Sequence, residues 1–127
     1  MKNSSDEPVT GIDLILEFLT HHYEMDACGR LQGVRRGGGL PRFVFARSAE
    51  GCLWRYRMDI DAGTVVRIAR LAGRERGWPV FEGEAPPPPE RLEMIARMLG
   101  EGGVAAPASR EVIRRSGTLW AEVWVFE

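Results

Sequence analysis

Apolar positions change their period several times along the chain, and each change marks a new element. Ile12, Ile15, Phe18, Leu19 and His22 recur at helical spacing, which predicts a helix over about 11–24. Thr10 supplies an N-cap for it, with Asp13 near the positive end of the helix dipole. Asp26-Ala-Cys-Gly29 carries turn chemistry, and Arg30-Leu-Gln-Gly-Val34 reads as a short strand. Arg35 and Arg36 then lead into Gly37-Gly38-Gly39-Leu40-Pro41, a loop, because three successive glycines make ordering costly.

The period shortens to two over Arg42–Arg47 and Cys52–Met58, two β-rich runs separated by Ser48-Ala-Glu-Gly51. A hairpin with a four-residue connection fits. In the second run Cys52, Trp54, Tyr56 and Met58 share a core face, while Leu53, Arg55 and Arg57 share the other, which is at least partly wet. Asp59-Ile-Asp61 starts a second helix with Val65, Val66, Ile68, Ala69, Leu71 and Ala72 on its apolar side and Gly73 at its end. A proline-rich connector occupies about 75–90. Arg91–Leu99 follows as a third helix, with Leu92, Ile95, Ala96 and Leu99 inward and Gly100 as its cap. Glu111–Arg115 and Leu119–Phe126 close the chain as strands joined by a turn at Ser116-Gly117. The pattern predicts an α+β fold: a mostly antiparallel sheet of about five strands with helices packed on one face. Residues 1–9 read as a flexible tail and 10–127 as a single domain.

Composition narrows the class. With 127 residues, 44% hydrophobic and 28% charged, the chain suits one soluble domain. A net charge of −1 gives no bulk attraction to nucleic acid or anionic lipid, although every base except Lys2 is arginine. No apolar run approaches the ~20 residues of a membrane span. The two cysteines, Cys28 and Cys52, cannot build a disulfide framework, so a reducing cytoplasm is the expected setting.

The final strand is the most informative anomaly. Leu119, Ala121, Val123 and Val125 lie on one face, while Trp120, Glu122, Trp124 and Phe126 lie on the other. An antiparallel strand with one wet face does not need apolar residues on both sides. Either it is a central strand covered twice, or Trp120, Trp124 and Phe126 form a patch that docks on another chain. Arg55 and Arg57, with Arg47 across the hairpin, offer guanidinium forks for a carboxylate or phosphate, against the simpler reading of a solvated face. Arg35 and Arg36 beside the glycines offer a second anion site, or merely a soluble loop.

Other chemistry is thinner. Asp59 and Asp61 could be a paired acid and base but fit better as helix caps. Glu17 and His21 are four apart with Asp26 or Cys28 nearby, which falls short of a closed metal site, and the rings of His21 and His22 diverge. Cys28 has no histidine paired with it and reads as a free thiol. No Ser-His-Asp, phosphate-loop or dinucleotide-binding pattern occurs.

Together, Asp26-Ala-Cys-Gly-Arg-Leu31, Pro41-Arg-Phe43, Glu50-Gly51 and Trp54-Arg-Tyr-Arg-Met-Asp59 resemble the leading region of certain bacterial GNAT-family N-acetyltransferases. The proline-rich connector, the helix at 91–99 and the segment from Gly117 to Trp120 fall in the order that resemblance implies. The likeness spans most of residues 12–120 and implies an accessory domain without the catalytic module. Arg97-Met-Leu-Gly100-Glu-Gly102 spells the family's acetyl-CoA loop, but at the end of a helix instead of between a strand and a helix. The expectation is therefore a cytoplasmic, non-catalytic binding or protein-interaction domain without a cofactor. It would be homodimeric or docked on another protein chain through the final strand, with no nucleic-acid or membrane partner. The alternatives are a small anionic-ligand binder or small enzyme using Arg55 and Arg57, or acetyl transfer in trans with a separate catalytic chain.

Overall fold

In a computed structural model the chain forms α1 (Gly11–His22), β1 (Tyr23–Met25), β2 (Leu31–Val34), β3 (Phe43–Ser48) and β4 (Gly51–Tyr56). It continues through α2 (Ala62–Ala72), α3 (Leu92–Leu99), β5 (Ala108–Arg114) and β6 (Trp120–Phe126). The structure describes residues 10–77, 88–100, 108–114 and 120–127. The proposed tail, most of the proline-rich connector and the Ser116-Gly117 turn lie outside them.

The fold is α+β. Four strands pair antiparallel in the order β4-β3-β6-β5, and β1 and β2 form a separate small hairpin. Helices cover both faces of the main sheet, which corrects the expectation of one covered face. Leu14, Ile15 and Leu19 of α1 pack on Val44, Ala46, Ala121, Val123 and Val125, with Tyr23 and Leu31 from the small hairpin alongside. On the opposite face, Ile68 and Ala72 of α2 and Ile95, Ala96 and Leu99 of α3 pack on Phe43, Phe45, Trp124 and Phe126. Double coverage is why β3 and β6 carry apolar side chains at successive positions and not only at alternate ones.

The proposed docking patch is therefore mostly core. Phe126 and Trp124 are only 1% and 6% exposed, and Trp120 is half-buried with Arg114 over its ring. Both faces of β4 are likewise covered in part: Cys52, Trp54 and Tyr56 pack toward α2 and α3, and Leu53 toward α1. Met58, expected on the core face, is exposed because the strand has ended at Tyr56.

Local chemistry sets the boundaries. Thr10 caps α1 by accepting from the Asp13 amide at 3.1 Å. Gly11 follows, and its amide donates to Glu50 Oε1 at 2.7 Å. A Cβ at Gly11 would collide with Ser48, so the helix start and the β3–β4 turn fit together only through glycine. The helix stops at His22, short of the expected 24, because Tyr23 turns extended and pairs with Val34. The β3–β4 turn is tighter than expected: Ser48 pairs with Gly51, leaving Ala49 and Glu50 between. Gly51 takes the positive φ of 149° that this connection needs.

Two charged side chains, Glu122 and Arg47, sit inside this apolar frame. Glu122 of β6 is fully buried, and its two oxygens accept from Arg47 Nε at 3.0 Å and Arg110 Nε at 2.6 Å. The Arg47 guanidinium also lies 5.1 Å from the Trp124 ring centre. Removing the carboxylate breaks an ion pair whose two members, Arg47 and Glu122, are both buried. Glu122→Ala is expected to lose about 3–5 kcal/mol in urea unfolding, the usual cost of breaking a buried pair. Arg110→Ala, which removes the more exposed partner, should lose about 1 kcal/mol or less; equal losses from both would contradict this account.

Candidate functional site

The five arginines singled out as anion ligands do not come together. Arg47 pairs with Cys52 across the hairpin and belongs to the α2–α3 face, whereas Arg55 pairs with Val44 and belongs to the α1 face. Arg47 is committed to Glu122. Arg57 donates to Asp59 Oδ1 at 2.6 Å and to the Leu40 carbonyl at 3.3 Å, fastening the glycine loop to the end of β4. Arg35 donates to the Tyr23 carbonyl at 3.2 Å. Arg55 donates through Nη1 to the Trp54 carbonyl at 2.8 Å, and its buried Nε has no partner. Gly29 packs over that nitrogen, beside a cleft of about 360 Å³ along β4.

The acidic candidates are held in structural roles. Asp61 caps α2, accepting from the Thr64 amide at 3.0 Å and its hydroxyl at 2.7 Å, and these bonds hold its carboxyl below the usual range. Asp59 does not cap; its bond from Arg57 lowers its pKa. Asp26 accepts from the Arg30 and Cys28 amides, both at 2.9 Å, and the Arg30 amide is the main reason its carboxyl stays ionised at lower pH. Among the described residues no three His, Cys, Asp or Glu side chains gather where they could hold a metal ion.

A different group of residues does converge. A cleft of about 180 Å³ opens on the α1 side of the sheet, where the end of α1, the glycine loop and the β5–β6 edge meet. Phe18, His22 and Tyr23 form one wall, Arg36 to Gly39 a second, and Ser109, Glu111, Val125 and Glu127 a third. The Phe18 and His22 rings stack with centres 4.1 Å apart, one helical turn between them. The His22 Nδ1–H donates to the Phe18 carbonyl at 2.9 Å, which fixes the ring.

Tyr23 is 7% exposed and lines this cleft. Burial pushes its pKa up, and the Glu127 and Glu111 carboxylates nearby push the same way. Neither carboxylate forms an ion pair with Arg36 among the described residues. The lining of the cleft thus carries side chains of both charges.

Of these residues, the sequence pointed only to Arg36 and the glycine loop. Tyr23, Glu111 and Glu127 carried no motif, and the face that Ser109 and Glu111 share with Val123 and Val125 appears only once the β5–β6 register is known. No described helix is long and apolar enough to cross a membrane. Compared with known protein families, curated proteins and solved structures, the chain matches none.

The two cysteines differ in a measurable way. Cys28 is exposed. Burial, reinforced by the nearby Glu75 carboxylate and opposed by Arg47, pushes the Cys52 thiol up to about 11. At pH 8, iodoacetamide is expected to label Cys28 and spare Cys52 in the folded chain, and to label both in denaturant. The raised thiol value also stabilises the fold only in the protonated state. That contribution is intact below the ordinary thiol pKa of 9.0 and fades as pH rises toward about 11. Equal labelling of the folded chain would contradict the burial of Cys52.

Proposed function

We propose that this chain is a non-catalytic binding domain for a small charged ligand, seated in the cleft beneath Tyr23. The observation that carries the reading is the convergence of Tyr23, Arg36, Glu111 and Glu127 on one cleft of about 180 Å³. Polar groups converging on a concave, partly apolar space are the ordinary mark of a ligand site. The residues that invited a reaction are occupied elsewhere: Asp59 and Asp61 fix loops and caps, and Cys52 holds its proton. The resemblance to the accessory region of GNAT acetyltransferases supports a binding role beside a separate catalytic module.

The reading moves the ligand away from Arg55 and Arg57 and keeps the glycine loop as one of its walls. A second reading, pairing with another copy of this chain, has lost Trp124 and Phe126 to the core. It retains β5, a seven-residue edge strand whose residues are nearly all exposed, Val112 among them. An open strand edge is a template for pairing with a second strand.

Thermal unfolding in the presence of amino acids, amines, carboxylates, nucleotides and CoA esters tests the first reading. At least one class is expected to raise Tm by a few degrees, and Arg36→Ala or Glu127→Gln should abolish that rise. A panel without effect, with light scattering reporting a dimer, would favour the second reading instead.

A further inference from the structure

A second cleft runs along β4, and its lining shares no residue with the cleft at Tyr23. β4 is an edge strand of the main sheet. At one end of its hairpin Ser48 closes on Gly51, and at the other the Arg57 amide donates to the Arg42 carbonyl at 2.9 Å. Antiparallel alternation between these two pairs turns the main-chain groups of Leu53 and Arg55 toward β3 and those of Cys52 and Trp54 toward the free edge. Every residue from Cys52 to Tyr56 lines the cleft, whichever face its side chain takes, so the cleft follows that edge. Cys28, Gly29 and Arg30 form the opposite wall. Beyond Tyr56 the two walls are joined: Leu31 bridges Arg57 in parallel, and the Met58 amide donates to the Leu31 carbonyl at 3.0 Å. The cleft is a slot between two stretches of backbone, closed at that end.

Arg55 stands just before the closed end. Its Nη1 donates at 2.8 Å to the Trp54 carbonyl, one of the groups on the free edge. Its Nε is the one buried side-chain nitrogen or oxygen among the described residues that has no partner. Beside Nε lies Gly29, at a φ of 79°, where a Cβ would approach to 3.2 Å; glycine keeps that position clear of a side chain. A buried donor left unpaired is costly, so an acceptor brought to it is favoured. Arg30, paired with Asp26 at 2.8 Å, stands on the facing wall, and no carboxylate lines the slot.

Going beyond the ligand-binding reading above, we propose that this slot binds the C-terminal end of an extended peptide, which adds a strand parallel to β4 and sets its terminal carboxylate on Arg55. The outward main-chain groups of β4 supply the pairing. The Trp54 carbonyl passes from Arg55 Nη1 to a peptide N–H, and the guanidinium fork, Nε included, turns to the carboxylate. The closed end selects the terminus. A strand entering from the Gly51 side cannot continue past Tyr56, so the bound chain finishes beside Arg55. An antiparallel strand would bring an ammonium there, against two arginines, whereas a parallel strand brings a carboxylate.

Isothermal titration of the full chain with an acetylated Val-Thr-Val-Thr-Val peptide, chosen for strand propensity, tests this. The free acid is expected to bind, and its C-terminal amide to bind at least tenfold more weakly. Arg55→Ala should weaken the free acid to the level of the amide, and Arg55→Lys, which keeps the charge without the fork, should recover only part of the loss. In the unaltered chain, saturating free acid should slow iodoacetamide alkylation of Cys28, which lines the slot, at least fivefold, and acetate should not. An amide that binds as well as the acid would remove the carboxylate from Arg55. Acetate that protects Cys28 as well as the peptide does would remove the added strand. A peptide that neither binds nor protects Cys28 would overturn the proposal outright, and the reading of the Tyr23 cleft would stand apart from that result.

Discussion

Strand β6 is the constraint on which the rest depends. It lies between β3 and β5 and is covered by α1 on one face and by α2 and α3 on the other. A strand in that position cannot present a polar side to water, so nearly every residue on it must be apolar or neutralised. Ala121, Val123 and Val125 meet the first condition on one face, and Trp124 and Phe126 on the other. Glu122 meets the second only because Arg47 and Arg110 reach it from the two neighbouring strands. The register of the sheet and the survival of a buried charge are therefore one fact: a slip of one residue at either side of β6 would carry an arginine to the opposite face.

The candidate site grows from the same arrangement. Helix α1 is short and gives way to Tyr23 before it reaches the end of the sheet, so the last positions of β6 and the start of β5 are not roofed by helix. The small β1–β2 hairpin and the loop after it close that gap incompletely. What is left is a cleft whose lining comes from three parts of the chain. The cleft and the core share the residues Tyr23 and Val125.

Much of this was legible in the sequence because it rests on local rules. The N-cap at Thr10, the cap at Asp61, the inward set Leu92, Ile95, Ala96 and Leu99, and the stop at Gly100 follow from spacing and side-chain chemistry alone. The two-faced apolarity of the last strand was also visible, and of its two explanations the doubly covered strand holds. What periodicity could not supply was the partner of each face. Two helices separated by a long connector meet on one side of the sheet, and nothing in their own patterns says which side.

Register was the other hidden quantity. A two-residue turn at Ser116-Gly117 would set Glu111 opposite Glu122; the observed pairing sets Glu111 opposite Val123 and Val112 opposite Glu122. That single step puts Ser109 and Glu111 on the α1 face, where the cleft is, and lets Arg110 reach Glu122. The arginines misled for another reason: the expected hairpin already pairs Arg47 with Cys52, and the strand alternation sets Cys52 and Arg55 on opposite faces, as observed.

Amide hydrogen exchange on the isolated chain tests most directly whether β6 is enclosed by this polypeptide alone. The account predicts that amides of β3 and β6 exchange only through global unfolding and that those of the edge strand β5 exchange much faster. Exchange in β6 as rapid as in β5 would contradict it, because a strand covered on both faces by its own helices cannot open to water while the fold persists.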